Sequence, residues 1–132
     1  ILQLYNHLKP GDVHDIQPGT EAKWLQMLNS DVIHVLVGKC NDAIISSCVL
    51  VIVPNLTHSQ RPYALIENVV THSGYRKKGY ASEILNAARE IAISNGCYKI
   101  MLMTGSKDVA TLDFYKKAGY NSNDKMAFIQ WL

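Results

Sequence analysis

Residues 67–82, ENVVTHSGYRKKGYAS, join a strand to a helix across a basic turn, and no other stretch restricts the fold as much. Apolar Val69 and Val70 beside β-branched Thr71 read as strand, and Ser73-Gly74 breaks it. From Gly79 onward Ala81, Ile84, Leu85, Ala88, Ile91 and Ala92 recur at three- and four-residue intervals, which predicts an amphipathic helix. Between strand and helix stand Arg76, Lys77, Lys78 and Gly79. The first amides of a helix have no intrahelical acceptor and the macrodipole adds partial positive charge, so this turn is an anion site in outline. Gly79 puts no side chain in the way. A charge-assisted hydrogen bond contributes about 1.5–3 kcal/mol where a neutral one contributes about 1, so three or four convergent amides suffice for a diphosphate. Arg76, Lys77 and Lys78 add steering and an outer rim.

The turn lacks G-x-x-x-x-G-K-[ST] and G-x-G-x-x-G, which excludes a P-loop and a dinucleotide fingerprint. A net charge of +2, with its one dense basic cluster in the turn, argues against a nucleic-acid partner. No run approaches the roughly 18 apolar residues a membrane span needs. At 132 residues, 48% of them apolar, the chain reads as one globular domain, residues 1–132. Cys40, Cys48 and Cys97 form no C-x-x-C pair and read as buried core thiols suited to a reducing cytoplasm. His14 and His34 have no carboxylate or cysteine at ligand spacing, so no metal is expected.

In chain order, residues 1–8 read as a helix ended by Pro10-Gly11, and Thr20-Glu21 as the cap of a second helix reaching Asn29. Residues 32–39 and 43–53 make a hairpin turning at Asn41-Asp42. A loop over 54–62 leads to a strand at 63–71, then to the helix from Gly79 to Asn95, with Gly96 at a left-handed C-cap position. Residues 98–103 return as a parallel strand after a right-handed crossover. Asp108 caps a helix through Val109, Leu112, Tyr115 and Ala118 that Gly119 stops, and residues 125–131 are expected as a closing strand. The class is α+β: a mixed, mostly antiparallel sheet with one parallel β-α-β crossover.

Arg76-x-x-Gly79-x-Ala81 directly after a strand resembles motif A, R/Q-x-x-G-x-G/A, of the GNAT superfamily of N-acetyltransferases. Phe114-Tyr115-Lys116-Lys117-Ala118-Gly119-Tyr120 is similar to that family's F-Y-x-x-x-G-F/Y segment. The resemblance covers nearly the whole chain, with its specific residues confined to 67–82 and 98–120. It implies a sheet whose two parallel strands splay apart, helices on both faces, and a first strand that this chain lacks at its N-terminus. The helical pair at the start would overhang the acceptor cleft.

The cofactor so implied is acetyl-CoA, the acetyl donor, its pantetheine arm pairing with the strand at Val69, Val70 and Thr71 and its diphosphate held by amides of Lys77, Lys78, Gly79, Tyr80, Ala81 and Ser82. An amide in that region would polarise the thioester carbonyl. Tyr115 is the candidate acid, because a phenol of pKa near 10 can protonate a thiolate of pKa near 8.5 as it leaves. Glu67 is the candidate base. An amine of pKa near 10.4 is about one part in a thousand neutral at pH 7, so losing its proton costs roughly 4–5 kcal/mol without help. His72 reads as structural or solvated, with proton relay as the lesser role. Asp108 stands where many members carry Asn, which leaves its contact to the pantetheine open, and Ala81 replaces the more frequent Gly.

The expected activity is acetyl transfer to a primary amine, from a small molecule or a peptide, by direct attack in a ternary complex. Ile66-Glu67-Asn68-Val69-Val70 and Cys97-Tyr98-Lys99-Ile100 resemble amino-sugar-phosphate acetyltransferases. Asp12, Asp15 and Glu21 near the acceptor side would suit a cationic substrate. The competing reading is a catalytically inactive module that keeps the coenzyme A pocket as a sensor or scaffold. A homodimer through an edge strand at 125–131 is a further expectation.

Overall fold

Ala43–Val53 carries the most buried run of the chain, with Ile45, Ser46, Ser47, Cys48, Val49 and Leu50 all below 6% exposure. Strand side chains alternate between faces, so both faces of this strand must be covered. The structure, a computed structural model, describes residues 1–9 and 11–132; the helix stop expected at Pro10 lies outside them. The elements are α1 (Leu2–Tyr5), α2 (Thr20–Leu28), β1 (Ile33–Cys40), β2 (Ala43–Val53), α3 (Thr57–Gln60), β3 (Tyr63–Thr71), a 3₁₀ turn (Ser73–Tyr75), α4 (Tyr80–Ser94), β4 (Ile100–Leu102) and α5 (Val109–Lys117). The sheet runs β1-β2-β3-β4, antiparallel except for the parallel β3–β4 pair.

On one face Cys48, Leu50 and Ile52 of β2 and Ala64 and Ile66 of β3 meet Ile84, Leu85, Ala88 and Ala92 of α4. Gly38 lets α4 approach β1, since a Cβ there would meet Ser46 Cβ at 3.4 Å and Ile84 Cδ1 at 3.6 Å. Ile45 and Val49 face the other way, as does Val70, which pairs with Ser47 beyond a register shift, and there α1 packs with its buried Leu4.

Both crossover-side helices end the same way. Gly96 at φ +71 lets Cys97 N donate to Ala92 O, and Gly119 at φ +92 lets Tyr120 N donate to Tyr115 O. These are Schellman closures, which put the residue after the glycine against the helix. Tyr120 is thereby brought to 6.3 Å from the Tyr115 ring, a physical reason for a glycine-aromatic pair five residues beyond Phe114.

Four expectations need correction. Residues 125–131 form no strand: β4 has only three residues to pair with, and Met126, Phe128 and Trp131 are 81%, 89% and 86% exposed. Thr20 does not cap α2; Gly19 does, at φ +88, while Thr20 Oγ1 accepts the amide of Gln17. The stretch 54–62 is not all loop, since α3 occupies Thr57–Gln60, with left-handed His58 and Ser59. Of the three thiols only Cys48 is fully buried.

Burial pushes the Cys48 thiol up from 9.0 to about 12, and burial together with Cys48 and Tyr115 pushes the Tyr120 phenol up from 10.0 to about 12. The folded chain therefore holds these protons where the unfolded chain has lost them, so stability is full below about pH 9 and falls toward pH 12. Urea midpoints measured from pH 8 to 11.5 should decline steadily, and Cys48→Ala should delay the onset by about one pH unit. A flat profile would contradict this burial.

Candidate active site

The parallel pair parts early. β4 meets β3 only at Ala64, Leu65 and Ile66, opposite Ile100, Met101 and Leu102, whereas β3 runs on to Thr71. Among the described residues, its edge over 67–71 therefore has no strand beside it on that side. A bulge also interrupts β3 against β2: Val49 pairs with Glu67 and Ser47 with Val70, so two residues, Asn68 and Val69, oppose Cys48 alone. Asn68 takes φ +52, a left-handed conformation that Asn tolerates better than most residues. The extra residue re-aims the side chains beyond it, as bulges near sites commonly do.

After Thr71 the chain turns and enters α4. Arg76 fixes that turn, Nε donating to Thr71 O at 3.2 Å and Nη2 to His7 O at 2.8 Å. The His72 Nδ1 accepts the Gly74 amide at 3.1 Å. Lys77 has φ +61, and Gly79, the N-cap of α4, has φ +92 with no side-chain cap. The first bond into the helix is from Glu83 N to Gly79 O. Among the described residues no protein acceptor takes the amides of Lys77, Lys78, Gly79, Tyr80, Ala81 or Ser82. Six successive unclaimed donors at one helix entrance are an arrangement that can accept an anion. A Cβ on Gly79 would meet nothing within 4 Å, so the space above it is open.

That space is a cleft of about 400 Å³ between the start of α4, the free stretch of β3 and the start of α5. Val69, Val70, Thr71, Arg76, Lys77, Gly79, Tyr80, Ala81, Ser82 and Asp108 line it, joined by Tyr75, Ala110, Thr111 and Phe114, to which the sequence assigned no site role. The Lys78 ammonium is turned elsewhere, donating to Gly74 O at 3.3 Å and lying 5.2 Å from the Tyr75 ring centre. Asp108 caps α5: its Oδ2 accepts from Thr111 N and Thr111 Oγ1, both at 2.9 Å, which holds the carboxyl below its usual range.

Tyr115 and Glu67 are not in the wall of this cleft. Tyr115 packs against the core cluster beside Phe114, 5.0 Å between ring centres, and burial raises its pKa. The phenol is thus held protonated. Glu67 is exposed on β3 opposite Val49, on the α1 side of the sheet. The His72 ring lies 4.2 Å from the His7 ring, tilted by 49°. The bulge at Asn68 left one trace in the sequence, the adjacent polar pair Glu67-Asn68 that breaks the alternation of an apolar strand.

The acetyltransferase (GNAT) family model matches residues 1–120. A glucosamine 6-phosphate N-acetyltransferase of Trypanosoma brucei brucei is 34% identical over 82 residues, 62% of this chain and 54% of that enzyme, so the match spans about half the length of this curated relative. A solved structure from Agrobacterium tumefaciens strain C58, assigned provisionally as an acetyltransferase, superposes with a TM-score of 0.90 at 37% identity, covering 98% of this chain and 90% of the other. AAC(6')-Iy in complex with the bisubstrate analogue CoA-S-monomethyl-acetylneamine shares the fold at 15% identity, with a TM-score of 0.78 over 98% of this chain and 88% of the other.

Proposed function

Because the chain belongs to the acetyltransferase (GNAT) family, we propose that it transfers the acetyl group of acetyl-CoA to a primary amine by direct attack within a ternary complex. The observation that carries this reading is the row of six unclaimed amides at the entrance of α4, beside a cleft that continues along an unpaired strand edge. That donor set fits a coenzyme with a diphosphate at one end and an amide-bearing arm at the other. When bound, acetyl-CoA supplies the activated acyl group.

The chain's own groups divide the work. Amides of Lys77, Lys78, Gly79, Tyr80, Ala81 and Ser82 would hold the diphosphate, with the Lys77 side chain at the rim and the Lys78 side chain uninvolved. Arg76 shapes the turn through its two carbonyl bonds rather than by spending itself on the ligand. Backbone groups of Val69, Val70 and Thr71 would pair with the pantetheine arm, and an amide there would stabilise negative charge developing on the acyl oxygen. The Asp108 carboxylate, already oriented by Thr111, can accept from an N–H of the arm. Tyr115 would donate its proton to the departing sulfur, and Glu67, directly or through water, would take the proton of the amine. By the name of its curated relative, the acceptor would be an amino sugar phosphate.

A second reading, coenzyme binding without turnover, draws on Tyr115 and Glu67 both lying outside the cleft wall. Release of free thiol from acetyl-CoA separates the two. Amine-dependent thiol release with at least one of a panel of amino sugars and peptides is expected, and tight coenzyme binding with no release from any amine would favour the sensor.

A further inference from the structure

Arg76 also lines a second cleft, of about 230 Å³, with Asn6, His7, Leu8 and Lys9. No carboxylate stands among these residues. Asn6 Oδ1 is already occupied by the His14 amide, in a contact of 2.6 Å, which leaves its amide nitrogen as the free end. Arg76 is held by Thr71 O and His7 O, and among the described residues its Nη1 has no protein acceptor. The ion pairs among those residues are Arg89–Glu90 and Lys116–Asp113, so neither Arg76 nor Lys9 has a carboxylate within salt-bridge reach. His72 backs the His7 ring at 4.2 Å; its Nδ1 accepts from Gly74, so a neutral His72 carries its proton on Nε2. Desolvation, His72 and Arg76 together hold the His7 pKa down, a burden that an anion beside it would relieve. A walled cleft of donors and uncompensated cations is a site for an anion.

Its position narrows the anion. α1 packs on β2 and β3: Tyr5 sits beside Ser47 and the bulge residue Asn68, while the tilted His7 ring meets His72 just past the strand's end. From Asn68 to His72 the strand advances about 13 Å at roughly 3.3 Å per residue. A phosphorylated amine laid along this stretch with its nitrogen toward β3 would turn its phosphate toward Arg76. We infer that the His7–Lys9–Arg76 cleft holds the phosphate monoester of the amine acceptor, so that the substrate class is a phosphorylated primary amine. The inference rests on the acyl-transfer reading above. The same chemistry is offered by the 3′-phosphate of the coenzyme, which the test must separate.

The test compares glucosamine 6-phosphate with glucosamine at saturating acetyl-CoA, in the wild-type chain and in Lys9→Ala and His7→Ala, neither of which removes a backbone acceptor of Arg76. Wild type should favour the phosphorylated amine by about 10–100-fold in kcat/KM, and each variant should raise KM for it about 10-fold. Activity on glucosamine and affinity for coenzyme A should not move. Equal use of both amines by wild type, or equal damage to both in the variants, overturns the assignment and leaves the transferase intact. Weakened binding of coenzyme A with unchanged binding of 3′-dephospho-coenzyme A gives the cleft to the cofactor and also overturns it. Should neither amine react, calorimetry with glucosamine 6-phosphate on the coenzyme-loaded protein decides: binding lost in both variants keeps the cleft and faults the transfer reading, and no binding overturns the cleft.

Discussion

Tyr115→Phe is expected to lower kcat about 10²–10⁴-fold while leaving the affinity for acetyl-CoA unchanged. Burial is the physical cause. Tyr115 is packed against the core with Phe114 and Tyr120 around it, and that environment raises its pKa above the ordinary 10.0. At any pH near neutral the phenol is therefore a proton donor. A departing thiolate close to this core would be a stronger base than in water, for the same physical reason that burial pushes the Cys48 thiol up to about 12. Phenylalanine keeps the ring's packing and removes only the hydroxyl with its transferable proton, so folding and coenzyme binding should survive. Steady-state thiol release and calorimetry with coenzyme A on the same preparation read the two effects separately. A variant with undiminished kcat would remove Tyr115 from the mechanism.

Gly79→Val is expected to weaken coenzyme A binding about 10²–10⁴-fold, the loss of two charge-assisted hydrogen bonds at about 1.5–3 kcal/mol each. Gly79 holds φ +92, where a β-branched residue is a genuine outlier, so the turn must shift and the amides of residues 77–82 lose their common aim. The fold itself should tolerate the change. A Cβ at this position meets no protein atom within 4 Å, and the left-handed strain is about 1–2 kcal/mol. A modest fall in Tm beside a near-total loss of coenzyme affinity is the expected pair. Unchanged affinity would mean that the diphosphate is held elsewhere.

What the sequence made legible came from local rules. Strong alternation and turn residues placed Ala43–Val53 and Tyr63–Thr71 to the residue, and a three-to-four-residue period flanked by Gly79 and Gly96 bounded α4. The unclaimed amides of the basic turn were legible because they are a main-chain feature, set by a glycine and a helix start. The bulge at Asn68 was not, since a single left-handed residue inside an apolar strand leaves only a break in alternation. The partners of Arg76 were out of reach for another reason: His7 is 69 residues away, and no local pattern encodes that contact. Likewise Lys77 and Lys78 are adjacent cations in the sequence, yet Lys77 lines the cleft while Lys78 turns back over Tyr75. The misread segment at 125–131 had strand-like residues but no edge long enough to pair with, and pairing is a tertiary property.

The most direct measurement is a titration of the ¹⁵N-labelled chain with coenzyme A, following backbone amide resonances. If the start of α4 grips the diphosphate, the amides of Lys77, Lys78, Gly79, Tyr80, Ala81 and Ser82 shift downfield together and exchange more slowly with solvent as the ligand saturates. Saturation with those six resonances unmoved, or no binding at millimolar coenzyme A, would contradict it.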